Sequence, residues 1–170
     1  MLWMLLVVGI APPSNSPVDP LPNLRIESDS AVVIRRAANG YVVAADASGK
    51  LLDGEKEMLA QTLQRPEEAK GPNSLKLSTN REVNPLIPGS LRFNLIEYHG
   101  EMLLMIQNGM SQSFAYKARI GSGPNSMPTD VCQLLPQTRS FEHWPYKFEW
   151  IEITDVRPVA HVPGEPPRCE

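Results

Sequence analysis

This sequence reads as a single, mainly β domain, an antiparallel sandwich with room for one short helix. Apolar side chains fall at every second position through most of residues 24–159, the period of a strand with one buried face. Turn signals cut that pattern into about eight to ten short runs, the spacing of a sandwich. No βαβ alternation supports a nucleotide-binding sheet, and no internal repeat is visible.

Ala31–Arg36 and Tyr41–Asp46 flank Asn39-Gly40, the dipeptide that suits a tight hairpin because both central residues need positive φ. Asp46–Lys50 makes a second turn. In Asp53–Gln64, early acids precede Met58, Leu59 and Leu63 at helical spacing, and Pro66 follows; this is a short helix or an irregular loop. Leu75-Lys76-Leu77 reads as another strand, and Val83–Ser90 as a connection. Leu91, Phe93 and Leu95 share one strand face, and Tyr98-His99-Gly100 turns the chain. Met102–Ile106 is apolar on both faces, as in a central strand. After Asn108-Gly109, Phe114, Tyr116, Ala118 and Ile120 point inward while Lys117 and Arg119 point outward. These three strands form a meander. Gly121–Ser126 reads as a long flexible turn and Val131–Leu135 as a short strand. Phe148–Val156 is the last strand, with Ile151 and Ile153 on one face and Phe148 and Trp150 on the other.

A chain of 170 residues has the size of one ordinary domain, and 42% hydrophobic with 21% charged residues is normal for a folded protein. The net charge is −3 and Lys and Arg are not clustered, which excludes a nucleic-acid partner. The 17 prolines are expected in loops and tails rather than in strands.

Residues 1–11 are apolar over about half of the ~20 residues a bilayer span requires, so no stable membrane span is expected. The length suits the core of a secretory signal. Against this, no Lys or Arg precedes the run, and Gly9-Ile10-Ala11 and Ser14-Asn15-Ser16 are both followed by proline. The alternative is a first strand or a frayed apolar terminus. The chain then divides into a signal-like segment with a Pro/Ser linker (1–23), a β domain (24–159) and a Pro-rich tail (160–170). Cys132 and Cys169, the two cysteines, fit one disulfide in an exported protein. It would close a loop of about 38 residues and contribute roughly 4 kcal/mol in the chain-entropy model. The alternative is two unrelated thiols.

Phe141–Trp150 holds five aromatic residues, of four Phe, four Tyr and three Trp in the whole chain. In one reading Phe141, Trp144, Tyr146 and Phe148 plug an open end of the sandwich. In the other, Trp144, Tyr146 and Trp150, with His143 beside them, form an exposed platform for a protein or glycan partner. The loops Ser111–Lys117 and Gly121–Met127 are expected next to it.

His99, His143 and His161 share no metal-ligand spacing, so neither a metal nor another cofactor is expected. A Cys132/His143 nucleophile pair, oriented by Asp130 or Glu142, would define a small hydrolase, but a disulfide at Cys132 removes the thiolate. Glu97/Glu101 and Glu149/Glu152 are the carboxylate pairs an acid–base mechanism could use; solvated strand-end charges explain them as simply.

Pro128-Thr129-Asp130-Val131-Cys132 and Phe141-Glu142-His143-Trp144-Pro145-Tyr146 resemble a pattern in small uncharacterised exported proteins of Gram-negative bacteria, over about residues 91–157. The resemblance implies export and a single β domain, and carries no activity or site residue with it. The expectation is therefore a periplasmic or secreted, non-enzymatic binding or structural accessory of the cell envelope; the alternative is the Cys132/His143 or carboxylate enzyme.

Overall fold

A computed structural model describes residues 21–38, 40–46, 52, 55, 59, 63, 85–162 and 164–169. The N-terminal apolar run, the Asp46–Lys50 turn beyond Asp46, the Leu75–Leu77 strand and most of the Asp53–Gln64 segment lie outside them. Within that last segment Glu55, Leu59 and Leu63 are described, and their backbone is helical.

The chain is mainly β, in two antiparallel sheets. Its strands are β1 (Leu24–Glu27), β2 (Ser30–Ala37), β3 (Gly40–Asp46), β4 (Ser90–Tyr98), β5 (Glu101–Asn108), β6 (Ser113–Ser122), β7 (Asn125–Thr129), β8 (Thr138–Trp144) and β9 (Trp150–Val159). One sheet has the order β1-β9-β6-β7 and the other β3-β2-β4-β5-β8. The period of two puts Leu24, Ile26, Ala118, Ile120, Ile151 and Ile153 of the first against Ile34, Leu91, Phe93, Leu95, Leu104 and Ile106 of the second, all buried in one core.

β4 and β5 are joined by His99-Gly100, with φ of 52° and 86°. A two-residue turn with both φ positive matches the twist of its strands. Gly121–Ser126, expected as a long loop, is a tight hairpin: β6 runs to Ser122, β7 starts at Asn125, and Ser122 pairs with Asn125. Pro128 sits inside β7, contrary to the expectation that prolines avoid strands, because β7 is an edge strand that can spare an N–H. Pro158 likewise lies near the end of β9. Val131–Leu135 forms no named strand but two bridges, Phe114 to Leu134 and Cys132 to Cys169.

The middle of the second sheet, β4 and β5, is covered on both sides. β5 is buried along nearly its whole length, as its two apolar faces predict. Arg92, Asn94 and Gln107 lie on the face turned away from the sandwich core and are nevertheless buried, together with Glu55 and Leu59. Glu55 Oε1 accepts from Gln107 Nε2 at 3.2 Å, and Glu55 Oε2 accepts from the backbone N–H of Leu52 at 3.0 Å. Buried polar groups require such partners. The set therefore ties the segment around Glu55 to the back of the sheet.

Candidate functional site

β6 leads from one candidate site to the other. At its C-terminal half the first sheet extends past the core to β7, and the space beside it is filled from β8 and the following turn. Trp144 ends β8 facing inward, only 6% exposed, and its Nε1 donates to Thr129 Oγ1 at 2.7 Å. Phe148 stands edge-on to Trp144 with ring centroids 5.3 Å apart, and Tyr146 stands edge-on to Phe148 at 6.5 Å. Trp144 and Phe148 belong to the core, whereas Tyr146 is 43% exposed. Across from it, Met127 of β7 is 51% exposed. Ile120, Met127, Tyr146 and Phe148 line a groove whose rim is polar, with Ser122, Asn125 and Ser126.

The rings therefore divide between the two readings of Phe141–Trp150. Trp144 and Phe148 close the sandwich, while Tyr146 stays at the surface. Trp150 lies elsewhere: it opens β9 on the outer face of the first sheet, opposite Gly121, with the Arg25 guanidinium 4.1 Å above its ring. A Cβ at Gly121 would meet that ring at 2.3 Å and the Asn125 carbonyl at 2.4 Å, so glycine is what lets Trp150 lie flat. Phe148 and Trp150, expected on one strand face, part company because β9 begins only at Trp150.

His143 neighbours Trp144 in sequence and points to the opposite face of β8, because successive strand residues alternate. Its Nε2 lies 2.6 Å from Glu101 Oε2. The same alternation prevents Glu142 from orienting His143. Of the four proposed binding residues, the structure joins Trp144 and Tyr146 through Phe148, places His143 on the outer face of β8, and buries Trp150 on the outer side of the other sheet beneath Arg25. The Gly121–Met127 hairpin does border the groove. Ser111–Lys117 does not: most of it belongs to β6, and Ser113 pairs with Val159, at the other end of the strand from Gly121 and Trp150.

The N-terminal half of β6 holds the second site. A bulge against β9 shifts the register between Ala115 and Lys117, and Asp155 takes a φ of 52° there. Tyr116 turns inward and is buried. Its hydroxyl donates to Glu142 Oε1 at 3.4 Å, and the Cys132 backbone N–H donates to the same oxygen at 2.8 Å. Burial pushes the Glu142 carboxyl up from the usual range, against the two hydrogen bonds that favour its charged form. Burial, followed by the nearby Glu142 charge, raises the Tyr116 phenol well above its ordinary value.

Cys132 and Cys169 are joined as a disulfide. The Gln133 N–H donates to the Arg168 carbonyl at 2.7 Å, and Cys132 and Cys169 form a single antiparallel bridge, so the tail lies beside this segment. A small pocket remains between Tyr116, Gln133, Arg157 and Arg168. With its sulfur bonded, Cys132 has no thiolate to offer a Cys132/His143 pair. Three of the four carboxylates of the expected acid–base pairs have local partners. Glu97 pairs with Lys147, Glu101 with His143, and Glu149 accepts from the Gly123 N–H at 2.8 Å. Among the described residues no group of three or more His, Cys, Asp or Glu could hold a metal, and no helix is long and apolar enough to cross a membrane.

Arg157 and Arg168 escaped the reading of the sequence; Tyr116 was legible as an inward residue but not as the partner of Glu142, and Met127 only as the end of the Gly121–Met127 loop. Met127 could have been found, since an apolar residue beside a proline after a turn fits an edge strand.

No protein-family model matches this chain, and no curated protein or solved structure is significantly similar to it.

Proposed function

We propose that the chain is an exported, non-enzymatic binding module or structural accessory of the cell envelope, working through the groove between Met127 and Tyr146. The observation that carries this reading is a thioether and a phenol ring left half in solvent above a floor of Ile120 and Phe148. Exposed apolar side chains that share a groove with a polar rim are the usual form of a binding surface. Tyrosine suits such a place, because its ring stacks on a sugar or an apolar side chain while its hydroxyl stays wet. The partner class is a protein or a glycan. The Cys132–Cys169 disulfide fits an oxidising compartment such as the periplasm or the exterior.

The test is retention of purified protein on immobilised envelope glycans and envelope proteins, alongside a Met127→Ala, Tyr146→Ala double variant. The expected result is retention by one of the two supports that falls at least tenfold in the variant, with the circular dichroism spectrum unchanged. Equal retention of both proteins, or of neither, would remove the reading.

A further inference from the structure

Four strands form the outer edges of the two sheets, β1 and β7 in one and β3 and β8 in the other. An edge strand presents a row of backbone N–H and C=O groups to any other extended chain, and natural sheets blunt their edges with charge, proline or brevity. β1 is four residues long and carries Arg25 and Glu27. β7 contains Pro128. β8 carries Arg139, Glu142 and His143. β3 has none of these devices over Tyr41-Val42-Val43-Ala44-Ala45. Val42 and Val43, on opposite faces, are 55% and 42% exposed. Among the described residues no strand pairs with its outer side.

The register fixes which groups point outward. β2 and β3 are joined by a two-residue loop closed by Ala37 and Gly40. In such a hairpin the closing pair is hydrogen-bonded and the bonded pairs then alternate. Val42 and Ala44 bond to β2, so the N–H and C=O of Tyr41, Val43 and Ala45 face away. An independent contact agrees: the Arg36 N–H, opposite Tyr41, donates to the Gly89 carbonyl at 3.0 Å, away from β3.

We propose that β3 pairs antiparallel with β3 of a second copy of this chain, about a two-fold axis through Val43, so that the two five-stranded sheets become one. This register sets Val43 against Val43 of the second copy and Tyr41 against Ala45. These are the outward-bonding positions, so the ladder is complete. It also sets Val42 against Ala44. Larger side chains stand at the start of the stretch and small ones at its end, so antiparallel self-pairing places Tyr41 opposite Ala45 and Val42 opposite Ala44, while Val43 meets its own copy on the axis. No charge within the stretch meets its like. A single-strand interface falls below the roughly 1,000 Å² of stable assemblies, so the dimer forms reversibly with concentration.

Sedimentation equilibrium of the full chain, from low micromolar to near-millimolar, tests this. A monomer–dimer equilibrium is expected, with no larger species because the two-fold closes. Val43→Pro removes an outward N–H and no bond to β2, so the dimer should be lost with the circular dichroism spectrum unchanged. Should that variant fail to fold, Val43→Lys keeps the backbone intact and sets two like charges against each other on the axis; it too should be monomeric. A wild type that stays monomeric throughout, an open series of larger oligomers, or a dimer that survives in folded Val43→Lys would overturn the proposal.

Discussion

The two halves of β6 solve one problem in different ways. Both lie along the seam where the sheets must be closed against water. Near Gly121 the seam is filled by noncovalent packing, with Trp144 and Phe148 driven into the core and Tyr146 left at the rim. Near Tyr116 it is held by a covalent link, the Cys132–Cys169 bridge, over a buried phenol and a half-buried carboxyl. Rings close a gap by area removed from water, which needs no partner of matched chemistry. A polar interior needs each group satisfied, and here the Cys132 N–H and the Tyr116 hydroxyl meet one Glu142 oxygen. The ring-closed half can therefore leave a side chain over for binding, whereas the polar half has its groups engaged with one another.

The sharpest way to break this contrast is Trp144→Ala. It deletes a buried ring and leaves Thr129 Oγ1 without its donor, so a loss of about 3–5 kcal/mol is expected in urea unfolding. A loss under about 1 kcal/mol would mean that the rings do not carry that half. Next comes the pair of substitutions Cys132→Ser and Cys169→Ser. The bridge spans 37 positions, and its removal should cost about 2–4 kcal/mol. The tail amides should gain hydrogen exchange in the same variant, while those around Trp144 keep their protection.

Gly121→Ala tests the outer side of the ring-closed half. The added methyl collides with Trp150 and with backbone, so about 1–3 kcal/mol should be lost and the Trp150 fluorescence should shift. The pH response tests the polar half. Burial raises the Glu142 pKa in the folded state, so the contribution of this group is fully present below its unfolded pKa and is lost as the pH rises through the folded value. Glu142→Gln keeps an acceptor for the Cys132 N–H without the charge. Its melting temperature should therefore fall less than that of the wild type between mildly acidic and neutral pH; parallel curves would assign the slope to other groups. The smallest effect is expected from Tyr146→Ala, within about 0.5 kcal/mol in stability, because the ring is already half in solvent. A larger loss would make Tyr146 part of the closure and not of a binding surface.

Most strands were legible in the sequence because each has one face in the core, and a period of two then shows in the letters. Phe114 through Ile120 is the plainest case, and the His99-Gly100 turn was legible because few residues accept its backbone angles. Arg92 and Asn94 are a place where the same rule is not enough. They alternate with Leu91, Phe93 and Leu95 like solvent-facing residues, yet their side of the sheet is covered. The clue was next door: Leu103 and Met105, on that same side of the sheet in β5, are apolar, and a strand apolar on both sides has company on both sides. The candidate site was legible only in part. The density of rings marked the region, but no one-dimensional pattern says that Trp144 turns in, that His143 turns to the opposite face, and that Trp150 lies beneath Arg25.

The bridge from Cys132 to Cys169 also governs how the protein would respond to a protease. The run around Gly164 is exposed and lies inside the loop that the bridge closes. Cleavage there yields two polypeptides that still migrate as one species until a reductant is added. A preparation that looks whole on a non-reducing gel can thus already be nicked, and only the reduced lane would reveal it.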